Sequence, residues 1–512
     1  MKEKVEPSAE ELTSGRRIAR NTLFNLAGQI APLILVLFAL PALVDQLGTE
    51  RFGVLVFLWT ILTVFGIADI GIGYVMTRMV ATRLGSGDRS DIPDLFWTCM
   101  TLLGLVDLAL GVAFYFSAPW LVGRVVIVPD VLKAETYLSL VVISFCLPFS
   151  IVATALRGLL EAYQQFVFRN IIMIANAALM FAGSVVIALF TSNVAFIALG
   201  LLMSRALIVA LSFSLCLVAA PALRTIGLRP AFLRQIFNLG IWMTLSNIAS
   251  PLLQYGDRFL ISSLVSISAV GFYFIPYELA NRLLITIGSL TTVLMPAFAT
   301  SINRDDARAA RLFELAIKVA LITIVPPVFA VSTFAEPILS FWVGDEMART
   351  STALLQIICV GIVFSAVGIV AFSFVLGAGR PDGAAKLHVV ELIIYLPFAA
   401  VLIARFGLTG AAAAMVIRVA CDALLLLWFA KRLMRDPGTV SMKPLAFLAV
   451  AVIALAGLIA QAPLTWKISY AATAVTAYSA AAWFWLFSTA ERKTLVWTLR
   501  SAVLGAHFRT DS

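Results

Sequence analysis

Four arginines stand where a side chain would meet hydrocarbon. Arg205, Arg258, Arg282 and Arg418 each interrupt a long apolar run, and carboxylates accompany three of them: Asp257 beside Arg258, Glu278 four residues before Arg282, and Asp422 four residues after Arg418. Asp69, Asp107 and Glu391 interrupt other runs. A charge at a helix centre in a bilayer costs at least about 2.5–3.5 kcal/mol, so such residues face the bundle interior or a watery path. The i,i+4 spacing puts Glu278 with Arg282, and Arg418 with Asp422, on one helix face each. Asn21, Asn25 and Gln29 recur at steps of four, and Asn247, Gln254 and Arg258 lie at i, i+7 and i+11, giving two further helices one polar stripe each.

The guanidinium is a planar fork that matches phosphate bidentately and stays charged. Arginines at this depth point to an anionic substrate, most naturally phosphate or pyrophosphate, held in a wet cavity by Arg205, Arg258, Arg282 and Arg418 with Asn25, Gln29, Asn247 and Gln254. Each Arg–carboxylate pair also has a plainer reading, as helix–helix glue. Asp69, Asp257, Glu278 and Asp422 are candidates for coupling to an ion gradient, because burial or a neighbouring charge moves a carboxylate's proton affinity.

These residues need helices in a membrane to position them, and the composition supplies them. The chain has 512 residues, 61% hydrophobic and 13% charged, with a mean hydropathy of +1.00. A soluble chain carries about 25% charged residues, which excludes a cytosolic enzyme, a disordered chain or a secreted disulfide scaffold. The expected fold is all-α, with about fourteen membrane spans at roughly 22–43, 52–76, 94–117, 134–156, 167–190, 194–219, 238–264, 269–299, 312–334, 352–377, 386–404, 408–430, 444–461 and 467–488. Placing the N-terminus inside assigns 26 Lys and Arg to inner segments and 6 to outer loops, with 5 in or at the edge of spans. That asymmetry sets the orientation and puts both termini in the cytoplasm. The net charge of +9 then reads as topology rather than nucleic-acid binding. All five cysteines fall inside apolar runs and read as buried thiols.

An internal repeat organises the spans. Phe24-Asn25-Leu26 and Phe237-Asn238-Leu239 open spans 1 and 7, and Arg205 and Arg418 lie deep in spans 6 and 12; both pairs are 213 positions apart. An even number of spans per repeat makes the halves parallel. The expected organisation is a cytoplasmic segment 1–21, an N-lobe 22–219, a linker 220–237 with an amphipathic stretch Arg229–Phe237, a C-lobe 238–432, two extra spans in 433–488 and a cytoplasmic tail 489–512. Within this arrangement Pro148, Pro251, Pro326, Pro327 and Pro397 invite kinks, and Pro251 stands six residues before Asp257.

No phosphate-binding Gly-rich loop is present, only two histidines occur, and the stretch 377–383 reads as an inner-loop turn. No nucleotide hydrolysis, metal site or other cofactor is expected, and no loop is long enough to form a soluble catalytic domain. The chain reads as a transporter rather than an enzyme.

The opening segments Asn21–Asn25, Leu47–Gly53 and Asp69–Gly73, followed by Leu156–Ala162 and Gly256–Phe259, resemble Wzx-type lipid-linked oligosaccharide flippases, the polysaccharide transporter branch of the MOP exporter superfamily. The resemblance implies two six-helix lobes around a cationic cavity. It also implies secondary, alternating-access flipping of an undecaprenyl-pyrophosphate-linked oligosaccharide to the outer leaflet of a bacterial inner membrane. Its partners would be that polyprenyl-linked glycan, membrane lipids and the glycan assembly machinery. A lipid II flippase and a multidrug/cation antiporter of the same superfamily are the alternatives; an integral polymerase or glycosyltransferase is the reading from another class. The topology is checked by cysteine accessibility: single cysteines placed at 45–50 and 340–348 react with an impermeant reagent from outside, and those at 85–90 and 435–440 react only from inside.

Overall fold

The protein is described by a computed structural model covering residues 15–67, 72–302, 306–434, 443–459, 463–486, 488 and 492. The described residues are helical almost throughout, as a chain must be when lipid offers its backbone no hydrogen-bond partner. Nine helical stretches among them are long and apolar enough to cross a membrane. Phe38, Phe116, Phe190, Ile393 and Ile453 lie on the outside of the fold, where water would be a poor solvent for them.

Two of the longest helices are pairs of spans joined through a glycine. Helix α1 (Gly15–Ile67) leaves helical geometry at Gly48, with φ 68° and ψ 171°, within the expected first outer loop. Its counterpart late in the chain, Pro381–Leu433, breaks at Gly407, with φ 59° and ψ −136°, between expected spans 11 and 12. A β-carbon is strained at these angles, so glycine ends one span and starts the next without a loop. The same residue shapes the stretch 377–383, where Gly379 takes φ +72° in a tight turn.

The framework divides into two compact units, Met1–Phe274 with Trp342–Met347 and Ala385–Ala411, and Ile275–Phe341 with Ala348–Ala384 and Ala412–Ser512. In the first unit, α1 is followed by α2 (Ile72–Ser86), α3 (Ile92–Trp120) and the 33-residue α4 (Asp130–Ala162). Next comes a span built as α5 (Phe166–Ala177), a π turn Ala178–Ala182 and α6 (Gly183–Ala188). Helices α7 (Val194–Ala219) and α8 (Ala231–Leu264) complete the sequence up to α9 (Ile267–Asn281). Glu135 ties three ends assigned to the outside: it pairs with Arg51 at 3.2 Å and accepts the backbone N–H of Val194 at 2.6 Å. Opposite, Arg229 pairs with Asp94 at 2.6 Å and Asp91 at 3.1 Å, and the Trp97 indole donates to the Leu223 carbonyl, closing ends assigned to the inside.

One expectation is narrowed and one needs correcting. The amphipathic stretch before span 7, which its sequence leaves open between an ordinary helix extension and a segment lying on the membrane surface, continues directly into α8, and Phe232 and Ile236 are buried in the apolar cluster of Leu95, Phe96, Leu103, Ile208 and Cys216. Their apolar stripe thus faces protein rather than lipid headgroups. Cys421 is exposed, unlike the four buried thiols, because its helix face turns outward.

The second unit contains α10 (Ile285–Ile302), α11 (Asp306–Thr333), most of a short α12 (Ala335–Val343) that the span pattern does not show, and nearly all of α13 (Asp345–Gly377). It ends with α15 (Lys443–Ile459) and α16 (Leu464–Ala481), α14 being the Pro381–Leu433 helix. Phe298, Phe313 and Phe374 meet edge-on or tilted at its centre.

Glycine also sets close approaches between helices. A β-carbon on Gly53 of α1 would overlap the Ile267 carbonyl of α9, whereas one on Gly104 of α3 would meet nothing. Gly53→Ala is expected to destabilise the protein by about 1–3 kcal/mol through overpacking, while Gly104→Ala raises stability slightly. Thermal unfolding of the two purified variants separates these outcomes.

Candidate functional site

The first unit collects cations on α4 and α7. Arg157, in the last turns of α4, donates from Nη2 to Thr154 Oγ1 at 2.9 Å, and Thr154 in turn reaches the Gly66 carbonyl of α1 at 3.0 Å. Arg205, midway along α7, donates from Nη1 to Asn176 Oδ1 of α5 at 3.1 Å. The two guanidiniums lie within electrostatic reach of one another, and Arg157 also within reach of Arg169. Glu161 is the carboxylate nearby, and it pairs with Arg169 at 2.5 Å. Among the described residues neither Arg157 nor Arg205 makes an ion pair. Both are half-buried, anchored by neutral oxygens, with donors left to offer to an anion.

Arg258 is held differently. At 3% exposure it lies over the Tyr255 ring at 4.8 Å and the Phe274 ring at 5.0 Å, with Thr60 Oγ1 at 3.5 Å from Nη1. Asp257 accepts the Tyr273 hydroxyl at 2.7 Å. The rings extend further: Trp59 touches Phe274 and Phe181, and Phe181 lies in the π turn just beyond Asn176. A chain of aromatic contacts thus runs from the Arg258 cage to the helix that anchors Arg205. Gln254, one turn before Arg258, is half-buried.

The second unit holds Arg282 and Arg418. Arg282 pairs with Glu278 at 2.6 Å across one helical turn, as their spacing requires. Asp422 packs near Gly368 of α13, 3.6 Å from where that glycine's β-carbon would stand, and Arg418 lies one turn before it on α14. Lys318 of α11, a cation at a span edge, is buried with Glu314 at 2.8 Å.

Asp69 lies outside the described residues, and so do the side chains of Asn25, Gln29 and Asn247. Asp107, which no cavity reading claimed, is fully buried in α3. Arg157, Thr154, Asn176 and Tyr273 were not singled out as site residues by sequence reasoning. Arg157 belongs to the Leu156–Ala162 segment, but α4 outruns the expected span end at 156, which made this arginine look like an inner-loop charge.

A family described as "Polysaccharide biosynthesis protein" matches residues 18–302, more than half of the chain. The chain belongs to this family. Similar proteins give it context. A Shigella flexneri protein named "Putative O-antigen transporter" is 23% identical over 81% of this chain and 98% of its own length. A Haloferax volcanii protein named "Probable low-salt glycan biosynthesis flippase Agl15" is 20% identical over 38% of this chain and 42% of its own. Among solved structures, an inward-facing multidrug resistance MATE transporter of the MOP superfamily superimposes with a TM-score of 0.66 at 14% identity, covering 82% of this chain and 96% of that one. The lipid II flippase MurJ in an inward closed conformation gives 0.65 at 15% identity, covering 90% and 98%. The polysaccharide biosynthesis family member described here therefore has the all-helical fold of MOP superfamily transporters, and the fold fits the drug-transporter and flippase structures about equally.

Arg258 provides the test of its own cage. Lysine keeps the charge but not the flat face that stacks on two rings, an interaction worth about 0.5–2 kcal/mol. Arg258→Lys is expected to lower the melting temperature of the purified protein, and Tyr255→Ala together with Arg258→Lys to lower it by less than the sum of the two single changes.

Proposed function

We propose that this protein flips an undecaprenyl-pyrophosphate-linked oligosaccharide from the cytoplasmic to the outer leaflet of the bacterial inner membrane, by alternating access, for surface or exopolysaccharide assembly. The single observation that carries this reading is the Arg157–Arg205 pair: two guanidiniums on adjacent helices, within one another's field and anchored by Thr154 and Asn176, with no carboxylate paired to either among the described residues. Like charges brought together in a membrane protein are costly without a compensating anion. A diphosphate supplies that anion, with oxygens enough for both forks. Arg258, Arg282 and Arg418 belong to the same proposed substrate path, Arg282 with its charge offset by Glu278, and Asp69, Asp257, Glu278 and Asp422 are the candidates for ion coupling.

A cationic drug, the cargo of the antiporter alternative, would be repelled by this pair. Export of an anion also needs no nucleotide. One elementary charge is worth about 2.3 kcal/mol per 100 mV, and a diphosphate leaving a negative cytoplasm moves downhill. The names of two relatives, an O-antigen transporter and a glycan biosynthesis flippase, support a glycan at the substrate's other end, and hand-over to glycan assembly enzymes outside is part of the same proposal.

Arg157→Ala and Arg205→Ala are expected to reduce surface glycan by about tenfold or more while the protein still accumulates in the membrane, the loss expected when bidentate, charge-assisted contacts of about 1.5–3 kcal/mol are removed. Lysine at either position restores export only in part, because a point charge does not replace the fork. Surface glycan and membrane protein level are measured in parallel. Full export by both alanine variants would overturn the assignment.

A further inference from the structure

Within the second unit a cavity of about 370 Å³ opens where the end of α11, the short α12, the start of α13 and the start of α16 converge. Its polar lining is Thr333, Glu336, Ser340, Thr352, Gln356 and Lys467. The size falls within the range of small-molecule sites, about 300–1,000 Å³. The cavity lies at the span ends that flank the expected loops 335–351 and 462–466, both assigned to the outside by the distribution of Lys and Arg, which puts it at the expected outer end of this unit.

The chemistry left over at the lining is specific. The Thr333 hydroxyl donates to the Phe329 carbonyl at 2.7 Å and the Thr352 hydroxyl to the Ala348 carbonyl at 2.8 Å, so each has spent its one proton and keeps its lone pairs. Gln356, 3% exposed, donates from Nε2 to the Ser332 carbonyl at 3.1 Å, which orients its amide and leaves Oε1 as an acceptor. Glu336 adds a carboxylate. Lys467 supplies a strong donor, and among the described residues no ion pair joins Glu336 to Lys467 although both line the same space.

A lining with several acceptors, one carboxylate and one ammonium held apart excludes most ligand classes. A metal cation would be repelled by Lys467 and a free anion by Glu336, and an acyl chain would leave every one of these groups unpaired, at a cost of about 1–3 kcal/mol each. A ring bearing several hydroxyls satisfies all of them, because its O–H groups donate to the acceptors and its oxygens accept from the ammonium. We propose that this cavity is a saccharide-binding site at the outer end of the second unit, in which α16 contributes Lys467 to hold a sugar of the exported glycan. The assignment of that sugar to the cargo rests on the glycan-export reading; the sugar chemistry of the cavity stands without it. It gives the last span, which lies beyond the six-plus-six repeat, a role in receiving cargo.

The test uses the full chain in lipid nanodiscs and saturation-transfer NMR with methyl glycosides of glucose, galactose, mannose, N-acetylglucosamine and glucuronic acid. At least one of these binds saturably to the wild type. Lys467→Ala and Glu336→Gln each weaken that binding by about tenfold or more, and Thr352→Val, which keeps the volume and removes the oxygen, weakens it less. Melting curves recorded on the same samples confirm that the variants fold. Inorganic pyrophosphate is titrated in parallel, and Lys467→Ala leaves its binding unchanged. Failure of every glycoside to bind, or binding unaffected by all three substitutions, overturns the saccharide site. Failure of pyrophosphate alone to bind the wild type counts against the diphosphate reading and leaves the saccharide site standing.

Discussion

A guanidinium inside a bilayer bundle must be given oxygen or a ring face, and the arginines of this protein divide by which they receive. Arg282 has a carboxylate on its own helix. Arg258 has two rings, tight burial and a hydroxyl. Among the described residues Arg157 and Arg205 have only neutral oxygens, and they are half-buried. The carboxylate neutralises Arg282 without engaging its buried Nε, whereas the third arrangement has, among the described residues, no carboxylate to neutralise it. The proposed binding role of Arg157 and Arg205 rests on that difference in neutralisation more than on the presence of arginine at depth.

Most of the architecture was legible because bilayer physics leaves few choices. Apolar runs became helices, the glycines at 48 and 407 ended spans where expected loops lay, and the i,i+4 spacing of Glu278 and Arg282 became an ion pair. The ends assigned to one side of the membrane are tied to each other, by Glu135 on one side and Arg229 on the other. The site was less legible, for a physical reason. Hydropathy marks where a helix could leave the membrane, not where it stops, and α4 continues six residues past that point with Arg157 still among its neighbours. The partners Asn176 and Thr154 come from other turns and other helices, and a neutral amide or hydroxyl in an apolar run carries little signal of its own. The same limit explains Phe232 and Ile236, whose stripe fits a lipid surface and a protein core alike.

The aromatic residues of the first unit link elements that charge alone would leave separate. Phe52 and Trp59 of α1 and Phe274 of α9 pack around the Arg258 cage, and Trp59 passes the contact on to Phe181. Edge-on rings in this arrangement are stiff and few in rotamers, so displacement of one is felt by the next. Where α1 meets α9 the backbone itself is in contact through Gly53, which leaves the helices no slack to absorb such a displacement locally.

The π turn Ala178–Ala182 stands between Asn176, which anchors Arg205, and Ala188 at the far end of that span. A π turn is one residue longer than the α turn it replaces, and that residue is a stored increment of screw motion. Were the turn to relax to α geometry, the helix beyond it would rotate by about 100° and shift by about 1.5 Å, one residue's worth of pitch. Phe181 sits inside the increment and Asn176 just before it. The span therefore has a built-in joint at which one half can turn as a corkscrew while the other keeps its grip on Arg205, without a loop, a proline or a broken helix.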